Sequence, residues 1–187
     1  MNLSHPASIA RLSEPDDDEL ARAAQRDPSA FGPLYDRYVH GLYRYVLTKV
    51  GTPMEAEDVT SRAFLSALEA LPRYQPRGRF AAWLFTIARR KILDHFRRHE
   101  PPEPPAEEDL RLPASLEQPV GPEDRERLRS VLRGLSEDRQ ELIRLRYVAG
   151  LPFRQIAVMV GKREDAVKKI VYRALAHVRA ELEGDDA

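Results

Sequence analysis

Seven prolines fall between Pro101 and Pro122, at 101, 102, 104, 105, 113, 119 and 122, and no continuous helix survives that density. Glu103, Glu107, Glu108, Asp109 and Glu117 make the same stretch acidic. An extended Pro/Glu-rich linker over 100–121 follows. It divides the chain into two segments, 16–99 and 122–183, flanked by tails at 1–15 and 184–187. Within both segments apolar residues recur at helical spacing, and no strand pattern exceeds a few residues. The expectation is an all-α protein of two small helical domains, each burying a modest core, which 187 residues accommodate.

The second segment ends in LPFRQIAVMVGKREDAVKKIVYRALAHVR, from Leu151 to Arg179. Ile156 and Val160 give a first helix its buried stripe, and Ala157 is small where two helices would cross closely. Gly161 follows where a tight turn needs φ > 0. Val167, Ile170, Val171, Ala174 and Val178 then form the inner face of a longer helix. Its outer face carries Asp165, Lys168, Lys169, Tyr172 and Arg173. This is a helix-turn-helix whose second helix suits a major groove, where cations reach phosphates and base edges. Upstream, helices are expected over about 122–133 and, capped by Ser136, over 137–148.

In the first segment a short helix fits 17–26. Asp27 and Pro28 open the next, whose broad face holds Phe31, Leu34, Tyr35, Tyr38, Leu42, Tyr43 and Val46 before Gly51 ends it. Thr52-Pro53-Met54-Glu55 reads as a capping box for a third helix reaching about Leu71, with Val59, Ala63, Phe64, Ala67 and Leu68 inward. A basic loop with Tyr74 leads to a fourth helix over 79–99, with Phe80, Leu84, Ile87, Ile92 and Phe96 inward. Arg79, Trp83, Thr86, Arg90 and Arg97 share one stripe of it, just after Arg73, Tyr74 and Arg77. Cations that track phosphates beside aromatic rings that stack on unpaired bases suit single-strand binding, although Trp83 taken alone reads as a core residue.

The formal net charge is zero, but the charge is unevenly spread. Basic clusters lie at 73–98 and 162–179, with acidic residues between them and at Asp16 to Glu19. Weak binding to bulk DNA, assisted by a protein partner, is the consequence. The absence of cysteine removes disulfides, thiolate metal sites and cysteine nucleophiles. No phosphate loop, nucleophile elbow or zinc-protease pattern occurs, so no enzyme and no cofactor is expected. His95 and His99, one turn apart, read as surface residues rather than as metal ligands. No run is long enough to span a membrane and no signal-peptide pattern opens the chain, so a cytoplasmic protein without membrane insertion is expected.

Taken in order, DPSAFGPLYDRYVHGLYRYV, AEDVTSRAFLSALEALPRY, RFAAWLFTIARRKILDHFRR and the helix-turn-helix segment resemble the extracytoplasmic-function (ECF) sigma factors of bacterial RNA polymerase. The resemblance covers about 17–182. It implies that the third helix binds core RNA polymerase through Glu57, Asp58, Arg62, Phe64 and Leu65. It implies that Arg73, Tyr74, Arg77, Arg79, Trp83, Arg90 and Arg97 read and melt the −10 promoter element. It further implies that Arg163, Glu164, Asp165, Lys168, Lys169 and Arg173 enter the −35 major groove, that the linker threads the polymerase cleft, and that an anti-sigma factor is a possible partner. The chain departs from the family's common pattern at Ser61, Arg62, Arg90, Arg163 and Ala166. A stand-alone helix-turn-helix repressor is the alternative reading.

Overall fold

The computed structural model describes residues 15–98 and 121–184. The expected linker over 100–121, with Glu107, Glu108 and Asp109, lies outside the described residues apart from Gly121, as do His99 and nearly all of both expected tails. All regular structure among the described residues is helical. The N-terminal unit holds α1 (Asp17–Arg26), α2 (Gly32–Val50), α3 (Pro53–Ala70) and α4 (Phe80–Arg98). The C-terminal unit holds α5 (Pro122–Arg133), α6 (Glu137–Ile143), α7 (Phe153–Val160) and α8 (Glu164–Gly184).

Local chemistry sets the boundaries. Asp16 closes a full capping box with Glu19 at the start of α1, and Asp17 to Glu19 complement the helix dipole. Asp27 accepts from the Ser29 N–H and opens one 3₁₀ turn, Pro28–Phe31, that rolls into α2. At α3 the expected box is half formed. Thr52 Oγ1 accepts from the Glu55 N–H, but the Glu55 carboxylate takes the Thr52 hydroxyl and reaches across to His95 Nε2 at 3.1 Å. His95 is therefore buried against α3 rather than on the surface as expected. Ser136 stands at the start of α6 without a side-chain cap, and α6 finishes as a single wide turn, Arg144–Val148.

One buried cluster runs from Leu20 through Leu42, Tyr45, Phe80 and Phe85 to Leu145, Ile156 and Val171, so the two units share a core. A smaller cluster of Leu135, Ala174 and Val178 ties α5 to α8. Three devices fix the contact between the units. Gly41 on α2 lets the backbone after α6 come so near that an added Cβ would lie 2.7 Å from the Ala149 carbonyl oxygen. Glu141 is buried, accepts the Tyr45 hydroxyl at 2.6 Å, and pairs with Lys49 at 2.8 Å and Arg89 at 3.5 Å. Gln155 on α7, also buried, donates to the Gly78 carbonyl at 2.7 Å and accepts the Ala82 N–H at 3.2 Å.

Candidate nucleic-acid and polymerase interfaces

After α3 the chain makes one 3₁₀ turn, Leu71–Arg73, and enters the loop before α4. Two residues of α1 hold that loop. Gln25 Nε2 donates to the carbonyls of Leu71 at 2.9 Å and Tyr74 at 2.6 Å, while Asp18 Oδ2 accepts the Gly78 N–H at 2.7 Å. Arg73, Arg77 and Arg79 project outward from the held loop, and Arg90 and Arg97 continue the cationic stripe along α4. Arg97 stands 3.7 Å from Asp94, an exposed pair of little energetic weight.

Tyr74 does not belong to the exposed face as the sequence suggested. It is 8 % exposed, its ring 4.7 Å from that of Trp83 and edge-on to Phe80 at 5.6 Å. Burial, then the nearby Asp18 carboxylate, pushes its phenol up to about 12. Trp83 is half-buried, with one side packed on Tyr74 and Phe80. The physical reason for the correction is the turn before the loop, which aims Tyr74 back at α4 and makes it the loop's floor. Trp83 and the arginines form the outer surface.

On α3, Glu57, Asp58, Arg62 and Leu65 face outward, and Leu65 is 61 % exposed. Asp58 and Arg62 pair at 2.9 Å one turn apart, so Arg62 masks part of the acidic surface it interrupts. Phe64 is buried, as its place on the inward stripe predicts, edge-on to Phe31 at 6.4 Å and tilted on Tyr35 at 4.8 Å, so it stands behind the outward face rather than on it. Leu65 follows it about 100° further round the helix and points outward while Phe64 points in. Met54, 77 % exposed beside the start of α3, was not anticipated; its only signal was an apolar residue in the first turn, off the inward stripe.

The helix-turn-helix is built as expected. Gly161 takes φ 65°, a left-handed value that a side chain would strain, and both it and Lys162 donate to the Ala157 carbonyl. Val167, Val171, Ala174 and Val178 bury the inner face of α8. Arg163, Asp165, Lys169, Tyr172 and Arg173 lie on the exposed face. Lys168 and Glu164 pair at 2.7 Å across one turn, a hydrogen bond that holds the Lys168 ammonium above its ordinary value. Phe153 meets Tyr172 edge-on at 5.8 Å and carries Arg146 over its ring at 4.9 Å, bracing α8 against the turn before α7.

Among the described residues no group of three histidines or carboxylates is placed to hold a metal ion, and no helix is long and apolar enough to cross a membrane.

Residues 34–101 match the family model of sigma-70 region 2, and residues 125–178 match that of sigma-70 region 4. The chain is 37 % identical over 184 residues to the ECF RNA polymerase sigma factor BldN of Streptomyces coelicolor, an alignment covering 90 % of this chain and 65 % of that protein. It is 31 % identical over 188 residues to the ECF RNA polymerase sigma factor SigD of Mycobacterium tuberculosis, covering 94 % of this chain and 87 % of SigD. Among solved structures it resembles CnrH in complex with the cytosolic domain of CnrY, with a TM-score of 0.65, 27 % identity, and coverage of 90 % of this chain and 98 % of that one.

Proposed function

The chain belongs to the ECF sigma factors of RNA polymerase, and from that premise we propose how its surfaces divide the work of starting transcription. The outward face of α3, with Glu57, Asp58, Arg62 and Leu65, docks on core RNA polymerase. Met54 extends this patch with a flexible apolar side chain able to adapt to a groove. The loop before α4 and the stripe of Arg79, Trp83, Arg90 and Arg97 take the −10 element as single strand. There the arginines follow phosphates and the free edge of Trp83 supplies a stacking surface. The exposed face of α8, with Arg163, Lys168, Lys169 and Arg173, enters the major groove at −35, and Glu164 and Asp165 accept hydrogen bonds there. The protein is a binding factor rather than an enzyme, and it works where the polymerase is, in the cytoplasm. CnrH is held by the cytosolic domain of CnrY. A protein antagonist of that kind fits this chain too, because Met54 and Leu65 are exposed apolar side chains until a partner covers them.

The observation that carries this reading is the presence, on one chain of zero net charge, of two separate exposed cationic faces, one beside half-buried Trp83 and one along α8. Neither alone has the charge to hold bulk DNA at physiological salt. The test is fluorescence anisotropy of the labelled chain titrated with core RNA polymerase and, separately, with duplex DNA. Tight polymerase binding with weak, strongly salt-dependent binding to free duplex is expected. Tight sequence-specific binding to duplex with no affinity for polymerase would overturn the reading in favour of a repressor.

A further inference from the structure

The reading of the −10 loop leaves α1 without a task, yet three of its polar side chains reach out of it. Asp17 anchors α1 to α2, accepting from Arg37 at 2.7 Å and from the Tyr38 hydroxyl. The other two, Asp18 and Gln25, act on the loop alone. Gln25 uses one amide nitrogen to take two carbonyls, those of Leu71 and Tyr74, at the loop's entrance. Asp18 takes the Gly78 N–H at its exit, where the backbone is left-handed with φ 65°. Between these clamps lie Gln75, Pro76 and Arg77. The floor of the loop is equally specific. The second oxygen of Asp18 is buried with no hydrogen-bond partner among the described residues. The Tyr74 hydroxyl lies within reach of the Arg77 and Arg79 backbone without forming a good hydrogen bond. Buried polar atoms left short of partners are costly and persist where something else over-determines the position.

We propose that Asp18 and Gln25 are positioning residues for promoter melting: they hold the loop from Tyr74 to Gly78 in the shape that presents Arg77 and Trp83 to the unpaired −10 strand. They touch no DNA themselves. Their contribution is preorganisation, since a loop already fixed loses little freedom when a strand binds it. An acidic residue next to a DNA-binding loop would otherwise be a liability. Asp18 is tolerated because it faces inward and its charge is spent on a backbone N–H. The proposal rests on the loop being the −10 contact, so the test includes a variant that probes the loop directly.

The full chain is assembled with core RNA polymerase on a duplex selected from a random library by the wild-type complex, with 2-aminopurine placed in its −10 element. Asp18→Ala and Gln25→Glu each remove a clamp, the second because a carboxylate cannot donate to two carbonyls. Asp18→Ala is expected to slow the fluorescence rise on melting about five- to tenfold, the worth of one hydrogen bond, and Gln25→Glu, which loses two, by at least as much. Asp18→Asn keeps an oxygen that accepts from Gly78 and melts within about twofold of wild type. Arg77→Ala slows melting while leaving the clamps intact. Trp83 is the chain's single tryptophan and packs on Tyr74, so its emission in the free protein reports the floor of the loop. It shifts to the red in Asp18→Ala and Gln25→Glu and stays in place in Arg77→Ala. Wild-type melting in both clamp variants with slow melting in Arg77→Ala overturns the positioning role and leaves the loop reading standing. Wild-type melting in Arg77→Ala overturns the loop reading and the proposal with it. Slow melting without a Trp83 shift, or a failure of Asp18→Asn to rescue, also overturns it, because Asp18 would then act through charge or global stability.

Discussion

Glu141→Ala tests whether the two units are held by one buried carboxylate. The Tyr45 side chain is fully buried and its hydroxyl has Glu141 as its partner at 2.6 Å. Removing the carboxylate strands that hydroxyl, at about 1–3 kcal/mol. The loss of charge pairing is smaller, because Lys49 keeps Glu137 at 2.9 Å and Arg89 is half-exposed. A total of about 2–3 kcal/mol follows, or a fall in Tm of about 5–10 °C for a chain of this size. Tyr45→Phe removes the hydroxyl without stranding Glu141, which retains its cations, and costs about 1 kcal/mol. In the double variant nothing is stranded, so a double-mutant cycle by urea unfolding at pH 7 yields a coupling of about 1–2 kcal/mol. A coupling below about 0.5 kcal/mol, or an unchanged Tm in Glu141→Ala, would refute the account of the contact.

Gly41→Ala forces a Cβ to within 2.7 Å of the Ala149 carbonyl and is expected to destabilise the chain by about 1–3 kcal/mol, whereas Gly32→Ala, which meets nothing within 4 Å, is neutral or stabilising; parallel thermal melts decide it. Lys168→Ala combined with Lys169→Ala weakens −35 duplex binding by the polymerase complex and lowers the salt slope by somewhat less than 2, since Glu164 already neutralises part of Lys168; anisotropy over a salt series measures it. The Lys49 hydrogen bond holds the Glu137 carboxyl below its ordinary value. Its stabilisation is therefore present above the unfolded value and lost as pH falls through the folded one. Glu137→Gln flattens that acid limb, read from urea midpoints at pH 7 and pH 4, with a small amplitude because the side chain is largely exposed.

Within each unit, what could be read in advance was whatever a local rule decides. Asp27 with Pro28, Thr52 with Pro53, and Gly161 after Val160 each leave a mark within four residues, and the helices begin and end there. The outer face of α8 follows from periodicity alone. Phe64 lies on the inward stripe of α3 where periodicity puts it, packed on Phe31 and Tyr35, and only the family resemblance set it among the polymerase contacts. Tyr74 sits in a polar loop whose direction depends on a single 3₁₀ turn. Glu141, Gln155 and Tyr45 had no signal at all. Their partners lie 73 to 96 positions away, and a buried Glu or Gln is indistinguishable in one dimension from a solvated one. His95, paired across 40 positions with Glu55, was misplaced for the same reason.

Gln155 joins α7 directly to the first turn of α4, and that contact has a consequence for distance along a promoter. Recognition helix α8 begins one short turn after α7, itself eight residues or about 12 Å long. Because α7 packs on both α4 and α8, the start of α8 lies within about two helix diameters of α4. Elements at −10 and −35 are about 25 base pairs apart, roughly 85 Å of duplex at about 3.4 Å per step. No placement of the docked chain spans that length. Occupying both elements on one promoter means breaking the Gln155 and Glu141 contacts and drawing the two units apart. The buried surface between them is then an energy difference that polymerase and promoter together must exceed before both elements are held at once.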